Sequence, residues 1–328
     1  MNMLPKKDII EEVAQIKGIS EAFIEKDWFV TQAIKIISNI NFDDYTIVFT
    51  GGTALSKAHH LIQRFSEDVD FRVIAQRLEQ VSKSQQSKNL STFKAAIISN
   101  LRTYFEINDE QITARNGNKF VAIEINYPSF FTRANTLRPH ILLELTVSQL
   151  LLPAISLPVS SIINQVSRQQ AEITNIQCIN PVENAADKLS AITWRIADRV
   201  RGSENDSPDI VRHIHDLAIL KDLAITNTQF SDLVKSALER DKNRSERIKD
   251  LSLTQKLSNV IHILSSDLKY PKEYERFVNT MSYANSDSVP PFKAVVASVT
   301  ELVKWVIKTH NIELTEKKNI FQTKIKER

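Results

Sequence analysis

The chain has 328 residues, 42% of them hydrophobic and 25% charged, with a formal net charge of +3. These values are ordinary for a soluble globular protein of two domains, and the small net charge gives no bulk electrostatic sign of nucleic-acid binding. The longest apolar runs are far shorter than the roughly 20 residues of a membrane helix, which excludes a membrane protein. The N-terminus has no signal-peptide pattern, and a single cysteine excludes an intrachain disulfide framework, so we expect a cytoplasmic protein.

Helix and strand patterns alternate in the first half of the chain. Ser20 is a candidate N-cap of a helix whose apolar residues recur at three-, four- and seven-residue steps. The stretch 45–49, "YTIVF", is β-rich and ends at a Gly-Gly pair, and a helical pattern then runs from Thr53 to Ile62. Residues 68–74, "DVDFRVI", alternate strictly between polar and apolar, which predicts a strand with a carboxylate face.

The remaining patterns divide the chain into two kinds of structure. We predict a helix capped by Ser91 and two strands, "FVAIEINY" (120–127) and "HILLELTV" (140–147). Prolines interrupt the pattern at 153 and 158, and from about 181 onwards nearly everything is helical. The sequence therefore predicts a mixed α/β first half and an all-helical second half, joined around 150–180.

The predicted strand at 68–74 carries a pair of acidic residues. Asp68 and Asp70 leave the same face, roughly 6–7 Å apart along it, and two like charges so close repel unless a cation lies between them. Hard oxygen ligands in such a pair suit Mg²⁺ completed by substrate phosphates. The preceding Gly51-Gly52-Thr53 turn lets the backbone approach a ligand closely and opens a helix whose amides can bind an anion. Together these features indicate phosphoryl or nucleotidyl transfer by metal-assisted displacement.

A two-metal site would need a third carboxylate. Glu144 is the best candidate, because its apolar neighbours point to the other side of the strand, and Glu124 has a similar setting. A solvent-facing glutamate is the alternative for both residues.

Two helical stretches in the second half carry cations and acids. Lys188 and Arg195 lie seven residues apart and flank one side of an apolar stripe, so they are either a solvated border or a pair that reaches triphosphate oxygens. The stretch "DIVRHIHDLAIL" places Arg212, His213 and Asp216 on about one and a half turns. A zinc site at its two histidines is rejected, because residues two apart on a helix face different ways.

Four stretches together, "FIEKDWFVTQAI", "FTGGTALSKAHHLIQRFSEDVDF", "ADKLSAITWR" and "VRHIHDLAIL", resemble the AbiEii/AbiGii-type nucleotidyltransferase toxins of bacteria, within the polymerase-β-like nucleotidyltransferase superfamily. The resemblance covers roughly residues 20–220. It implies an α+β fold, in which a nucleotidyltransferase domain with a mixed sheet (1–160) precedes an all-helical domain (161–328) that contributes Lys, Arg and Asp to the cleft.

The resemblance also implies roles for individual residues. The motif "K-L-x-A-L-x-x-R" is matched with Ile192 in place of its second leucine, and "R-x-K-D-x-x-D" is matched only at Asp216. His213 and Arg212 stand where that motif has its first aspartate and its lysine, and Asp209 is a nearby acid that could substitute. The implied catalytic residues are Asp68, Asp70, Lys188 and Asp216; the metal ligands Asp68, Asp70 and Glu144; the nucleotide-binding residues Gly51, Gly52, Thr53, Lys57, Ser66 and Arg195.

The resemblance further implies an activity and partners. A toxin of this kind uses Mg²⁺ or Mn²⁺ and an NTP, modifies the 3′ acceptor end of tRNA and so blocks translation, and is paired with an antitoxin that is often a winged-helix repressor. The alternatives are transfer to a protein hydroxyl or to a small molecule, transfer of phosphate instead of a nucleotide, and a non-enzymatic protein that binds RNA or the antitoxin.

Overall fold

Two units divide the chain, Met1–Asn180 and Pro181–Arg328. The computed structural model describes residues 5–132, 137–203, 206, 210–281 and 289–326, with side chains described as far as residue 312. The first unit extends past the predicted boundary at residue 160, because a strand at Ile173–Cys178 pairs within its sheet. The second unit accordingly begins at the helix that carries Lys188.

Helices and strands alternate along the first unit, as the sequence predicts. In chain order its elements are α1 (Lys7–Lys17), α2 (Glu21–Ser38), β1 (Tyr45–Thr50), α3 (Gly51–Lys57), β2 (Asp68–Ala75), α4 (Lys83–Arg102), β3 (Ile112–Arg115), β4 (Phe120–Ile125), β5 (Ile141–Val147), β6 (Ile155–Val159), α5 (Ile162–Val166) and β7 (Ile173–Cys178).

The strands form one mixed sheet in the order β3-β4-β5-β2-β1-β7-β6. At its centre β2 runs antiparallel to β1 and parallel to β5. Val69, Phe71 and Val73 of β2 are buried in a core that also contains apolar residues of α2 and α4. Because side chains alternate along a strand, Asp68 and Asp70 lie on the other face of the sheet. The predicted mixed sheet with a carboxylate face is thus confirmed.

Helix boundaries show where the sequence pattern was read correctly and where it was not. The Ser20 side chain accepts a hydrogen bond from the amide of Ala22 at 3.3 Å and caps α2, as predicted. The cap of α4 is Ser82, and Ser91, the predicted cap, lies inside the helix. Helix α3 ends at Lys57, well before the predicted Ile62, because the chain turns through His60 with a φ of 54°.

Three strands were absent from the prediction. Strand β3 is only 4 residues long and mostly exposed, so it carries no clear alternation. Strand β6 contains Pro158, which breaks the pattern but is tolerated at the edge of the sheet, where a missing N–H leaves no ladder bond unmade. Strand β7 is defined by its pairing with the distant β1 and by β6, and a local pattern cannot show such pairing.

The second unit is built from helices throughout its described residues, which confirms the prediction of an all-helical second domain. Buried apolar residues of α6 and α7, among them Leu189, Ile192 and Leu217, form part of its interior. Across the part of the chain that the structure describes, no helix is long and apolar enough to cross a membrane. The helices are α6 (Pro181–Asp198), α7 (Ile210–Ile225), α8 (Phe230–Arg240), α9 (Leu253–Ser266), α10 (Tyr270–Met281) and α11 (Phe292–Lys326).

Candidate active site

Three carboxylates share one face at the centre of the sheet. Asp68 and Asp70 flank the buried Val69 on β2, and Asp70 is paired in register with Glu144 on β5. Neighbouring strands lie about 4.8 Å apart, so Glu144 emerges directly beside Asp70. The pairing therefore brings the predicted third carboxylate to the same strip of the sheet as the predicted pair.

The Gly-Gly turn that precedes these acids in the sequence lies against them in the fold. Gly51 begins α3 with a φ of 76°, and a Cβ atom there would lie 1.9 Å from Oδ2 of Asp70. A Cβ atom at Gly52 would lie 2.5 Å from Nη2 of Arg64 and 3.0 Å from Oγ of Ser66. Both glycines are needed because neighbouring polar side chains occupy the space that a larger residue would fill.

Hydrogen bonds tie the start of α3 to the start of β2. The Thr53 hydroxyl donates to the main-chain carbonyl of Asp68 and lies 3.4 Å from that of Ser66. Thr53 is fully buried, so this contact fixes the separation of the glycine turn and the first aspartate. The predicted residues Gly51, Gly52, Thr53, Ser66, Asp68 and Asp70 are therefore brought together.

Two arginines near these residues were missed by the sequence reading. Nη1 of Arg138 lies 2.6 Å from Oδ1 of Asp68 in an ion pair whose side chains are 36% and 27% exposed. Arg64 is buried beside Gly52 and donates to the Phe65 carbonyl at 3.1 Å. Arg138 is far from Asp68 in sequence and has no motif around it, whereas Arg64 stands inside the glycine–aspartate stretch and could have been considered.

Lys57 has partners other than the predicted nucleotide. Its buried ammonium lies 2.5 Å from Oδ1 of Asp27 on α2 and donates to the carbonyl of Ser160 at 3.2 Å. Asp27 also accepts a hydrogen bond from the amide of Ile162 at 2.7 Å. A triphosphate would have to take Lys57 away from these contacts, so the geometry favours a structural role in holding α3 to α2 and α5.

Glu124, the alternative third carboxylate, is engaged elsewhere on the sheet. It pairs in register with Leu142, and its side chain lies 3.4 Å from Nδ1 of His140. Burial lowers the pKa of His140, and the charge of Glu124 only partly opposes this. Register places Glu144, and not Glu124, beside Asp70.

The acids of the sheet face fit a hard divalent cation by their chemistry. Carboxylate oxygens are the ligands that Mg²⁺ prefers, and three of them on two adjacent strands supply a suitable donor set. Within the described ranges, no group of three or more His, Cys, Asp or Glu side chains is already arranged to hold a metal ion. The residue types and strand positions of the three acids therefore fit a divalent cation. The side chain of Asp68, the first of the three, forms an ion pair with Arg138.

In the second unit, two predicted residues meet each other. Nζ of Lys188 on α6 lies 2.9 Å from Oδ2 of Asp216 on α7, and both side chains are buried. Arg195, further along α6, lies over the ring of Trp194 with its Cζ atom 5.1 Å from the ring centroid. His213 and Arg212 precede Asp216 on α7, and Asp209 lies outside the described residues.

A tyrosine of α10 lies near enough to Asp216 to be influenced by its charge. Tyr274 of α10 shares a hydrogen bond of 2.9 Å with Nδ1 of His215 and donates to the Pro290 carbonyl at 3.0 Å. Burial raises the pKa of Tyr274, and the negative charge of Asp216 raises it further. The tyrosine therefore stays a neutral hydroxyl beside the Lys188–Asp216 pair.

A glycine turn lies against a strand that carries two aspartates, with a third acid on the next strand, so the backbone and carboxylate groups useful in phosphoryl or nucleotidyl transfer are close together. Residues 36–298 match the sequence profile of a family described as the nucleotidyl transferase AbiEii toxin of type IV toxin–antitoxin systems. The chain belongs to this family, as its motifs predict. It is a nucleotidyltransferase toxin, with an NTP as substrate and an antitoxin as partner.

Two further comparisons accompany the family match. A solved structure, the nucleotidyltransferase toxin MenT4 from Mycobacterium tuberculosis H37Rv, superposes with a TM-score of 0.48 and 15% sequence identity, covering 91% of this chain and 89% of that chain. A search of curated proteins gives no match.

Proposed function

We propose that this toxin transfers a nucleotide from an NTP, with Mg²⁺ or Mn²⁺, to the 3′ end of tRNA and thereby blocks translation. The observation that carries the chemistry is the shared strip of Asp68, Asp70 and Glu144 on β2 and β5, with Gly51 packed against the Asp70 side chain. Family membership supplies the class of reaction. The tRNA acceptor is taken from the resemblance of the motifs.

Asp68, Asp70 and Glu144 would hold the metal, which when bound neutralises triphosphate charge and polarises the reacting phosphate. The close approach of the backbone at Gly51, Gly52 and Thr53 gives the triphosphate room beside the aspartates. Ser66 lies at the same turn and would contribute a hydroxyl donor to a phosphate oxygen.

The second unit would contribute through its family motif. Lys188 and Arg195 would neutralise phosphate charge, and Asp216 would orient the Lys188 ammonium across 2.9 Å. His213 takes the position of the motif's first aspartate, so in this chain the acid of the motif is Asp216. The proposed partner is a winged-helix antitoxin, and the proposed location is the cytoplasm, where NTPs and tRNA are present.

The experiment that tests the proposal is a labelling assay with separate acceptors. The protein is incubated with Mg²⁺ and each NTP labelled at the α- or the γ-phosphate, and with separate pools of tRNA, protein and small molecules. We expect α-label on tRNA only. Label on protein or on a small molecule would show that the acceptor is not tRNA. Transfer of the γ-label alone would indicate a phosphotransferase. Tight nucleotide-independent RNA binding without Mg²⁺-dependent nucleotide consumption would indicate a binding protein.

Variants of the aspartates test the metal assignment. Asp68→Asn and Asp70→Asn each remove a charged ligand, and we expect a loss of transfer of about 100-fold or more, because metal charge stabilisation amounts to several kcal/mol. Asp44→Asn, at an exposed aspartate next to β1, is the matched control and should retain full activity. Circular dichroism checks that all three proteins are folded. Retained transfer in either site variant would remove the metal assignment.

A further inference from the structure

A buried ion pair holds the main chain of Arg138 on both sides. Nζ of Lys26 lies 2.6 Å from Oε2 of Glu67, and the two side chains are 0% and 2% exposed. Glu67 accepts a hydrogen bond from the amide of Arg138 at 2.9 Å, and Lys26 donates to its carbonyl at 2.9 Å. Such a pair is costly to bury, and here its hydrogen bonds fix one particular residue of a loop.

The guanidinium of that residue reaches the sheet face. Arg138 and Asp68 are joined at 2.6 Å, but their side chains remain 36% and 27% exposed. The backbone of Arg138 is therefore anchored by buried groups while its charged head lies where solvent and solutes can reach it. An ion pair of this exposure is weak enough to be exchanged for a stronger ligand.

We propose that Arg138 is a placeholder cation for Asp68: it neutralises this carboxylate, and a metal ion that binds Asp68 must displace it. This inference rests on the proposed function, because it takes Asp68 as a metal ligand. The carboxylate of Asp68 is compensated by the guanidinium of Arg138, which cannot lose its charge at any working pH. Arg138 thus compensates Asp68 and acts as a positioning residue for that carboxylate.

Competition of this kind makes metal binding depend on the nucleotide. A bare ion must displace the guanidinium and leave it without its carboxylate. A metal–NTP complex brings phosphate oxygens, which are good acceptors for a displaced arginine. The nucleotide should therefore tighten metal binding in the wild-type protein, and by linkage the metal should tighten nucleotide binding equally.

The test is Mn²⁺ binding, measured by the electron paramagnetic resonance signal of free Mn²⁺, with no reaction taking place. We expect Arg138→Gln to bind Mn²⁺ alone about two- to fivefold more tightly than wild type, which is the range for losing a partly exposed ion pair. Arg138→Lys keeps a cation and should stay close to wild type. The matched control is Arg102→Gln, which removes another partly exposed arginine–aspartate pair of the same unit, 41% exposed at Arg102, and should change nothing.

A second measurement adds a non-hydrolysable NTP. We expect the nucleotide to tighten Mn²⁺ binding more in wild type than in Arg138→Gln, because the variant has no guanidinium to transfer. Equal Mn²⁺ affinity in Arg138→Gln and Arg102→Gln, or an absence of Mn²⁺ binding in every variant, would overturn the placeholder role. The Asp68→Asn variant separates the two proposals. If this variant binds Mn²⁺ as tightly as wild type, the assignment of Asp68 as a metal ligand fails. If it binds Mn²⁺ more weakly but Arg138→Gln binds like wild type, only the placeholder role of Arg138 is refuted.

Discussion

Two buried lysine–carboxylate pairs, one from each unit of this toxin, differ in the groups that they contact; the first unit also contains a further such pair, Lys57–Asp27. Lys26–Glu67 in the first unit bonds to the main chain of Arg138 on both sides. Lys188–Asp216 in the second unit joins α6 to α7, side chain to side chain, and lies in the family motif. Burial of a charge therefore does not separate a structural group from a candidate catalytic one, because both pairs are almost inaccessible. The contacts of each pair have to be compared.

The largest predicted loss of stability is that of a substitution at Lys188. We expect Lys188→Met to destabilise the second unit by about 3–5 kcal/mol, since it leaves the Asp216 carboxylate charged and buried without its cation. Urea unfolding followed by tryptophan fluorescence measures the loss. Lys188→Met combined with Asp216→Leu should recover most of it, because an apolar replacement of both partners is often neutral. A single variant as stable as wild type would show that the pair contributes little and that Lys188 can move to a phosphate at small cost.

The same pair of substitutions should behave differently in the first unit. Lys26→Met leaves Glu67 charged and buried, and we expect a similar loss of about 3–5 kcal/mol. Lys26→Met with Glu67→Met should recover less, because the part-buried amide and carbonyl of Arg138 then lose their partners, at about 1 kcal/mol for each group. Urea unfolding curves of the single and the double variant of each pair measure the two recoveries of stability. Equal recovery in both units would mean that the hydrogen bonds of Lys26 and Glu67 to the main chain of Arg138 add no stability.

The glycine turn offers a smaller perturbation with an internal control. Gly18→Ala places a Cβ on a residue with a φ of 66° that has open space around it, so it should cost about 1–2 kcal/mol of backbone strain. Gly51→Ala adds to a similar strain a Cβ 1.9 Å from Asp70, and we expect it to cost more and to abolish nucleotide transfer by displacing that carboxylate. Thermal unfolding and the labelling assay measure the two effects. If both variants lose equal stability and keep activity, Asp70 tolerates displacement.

The sequence predicted the parts of the site that are close together along the chain. The glycine turn, β2 and its carboxylate face follow from local pattern, and Glu144 was singled out because its apolar neighbours point to the other side of its strand. Arg138 was missed because its contact with Asp68 spans 70 residues and depends on how a loop is held. Lys57 was assigned to the nucleotide only through the family resemblance. Its partner in the structure, Asp27, lies on a helix whose "EKD" run gives no sign of which elements it will contact.

Fold prediction was limited by the same distinction between local and distant contacts. Ser20 was identified because a cap and its helix are adjacent. Strand β6 was missed because Pro158 interrupts its pattern. Strand β7, as long as the predicted β1, was missed because it is defined by a pairing that only the assembled sheet provides. The domain boundary was predicted too early for this reason, since β7 draws the first unit on to Asn180.

Cys178, the single cysteine of the chain, is buried in the first unit, so its reactivity reports directly on the opening of that unit. Of the predicted changes in stability, the one caused by its titration is the smallest. Burial raises the pKa of its thiol from 9.0 to about 12, so at pH 8 the folded protein holds almost no thiolate, and we expect iodoacetamide to label it at least about 100-fold more slowly than in the urea-unfolded chain. Between pH 9 and 12 the unfolded chain loses this proton while the folded one keeps it, so stability should fall as pH rises through that window.

Mass spectrometry of the labelled protein then sharpens the comparison between the two units. Lys26→Met should speed labelling of Cys178 markedly, because both residues belong to the first unit, while Lys188→Met should speed it much less. Equal acceleration by both variants would show that the two units open together, and that each buried pair stabilises the whole chain and not only the unit in which it lies.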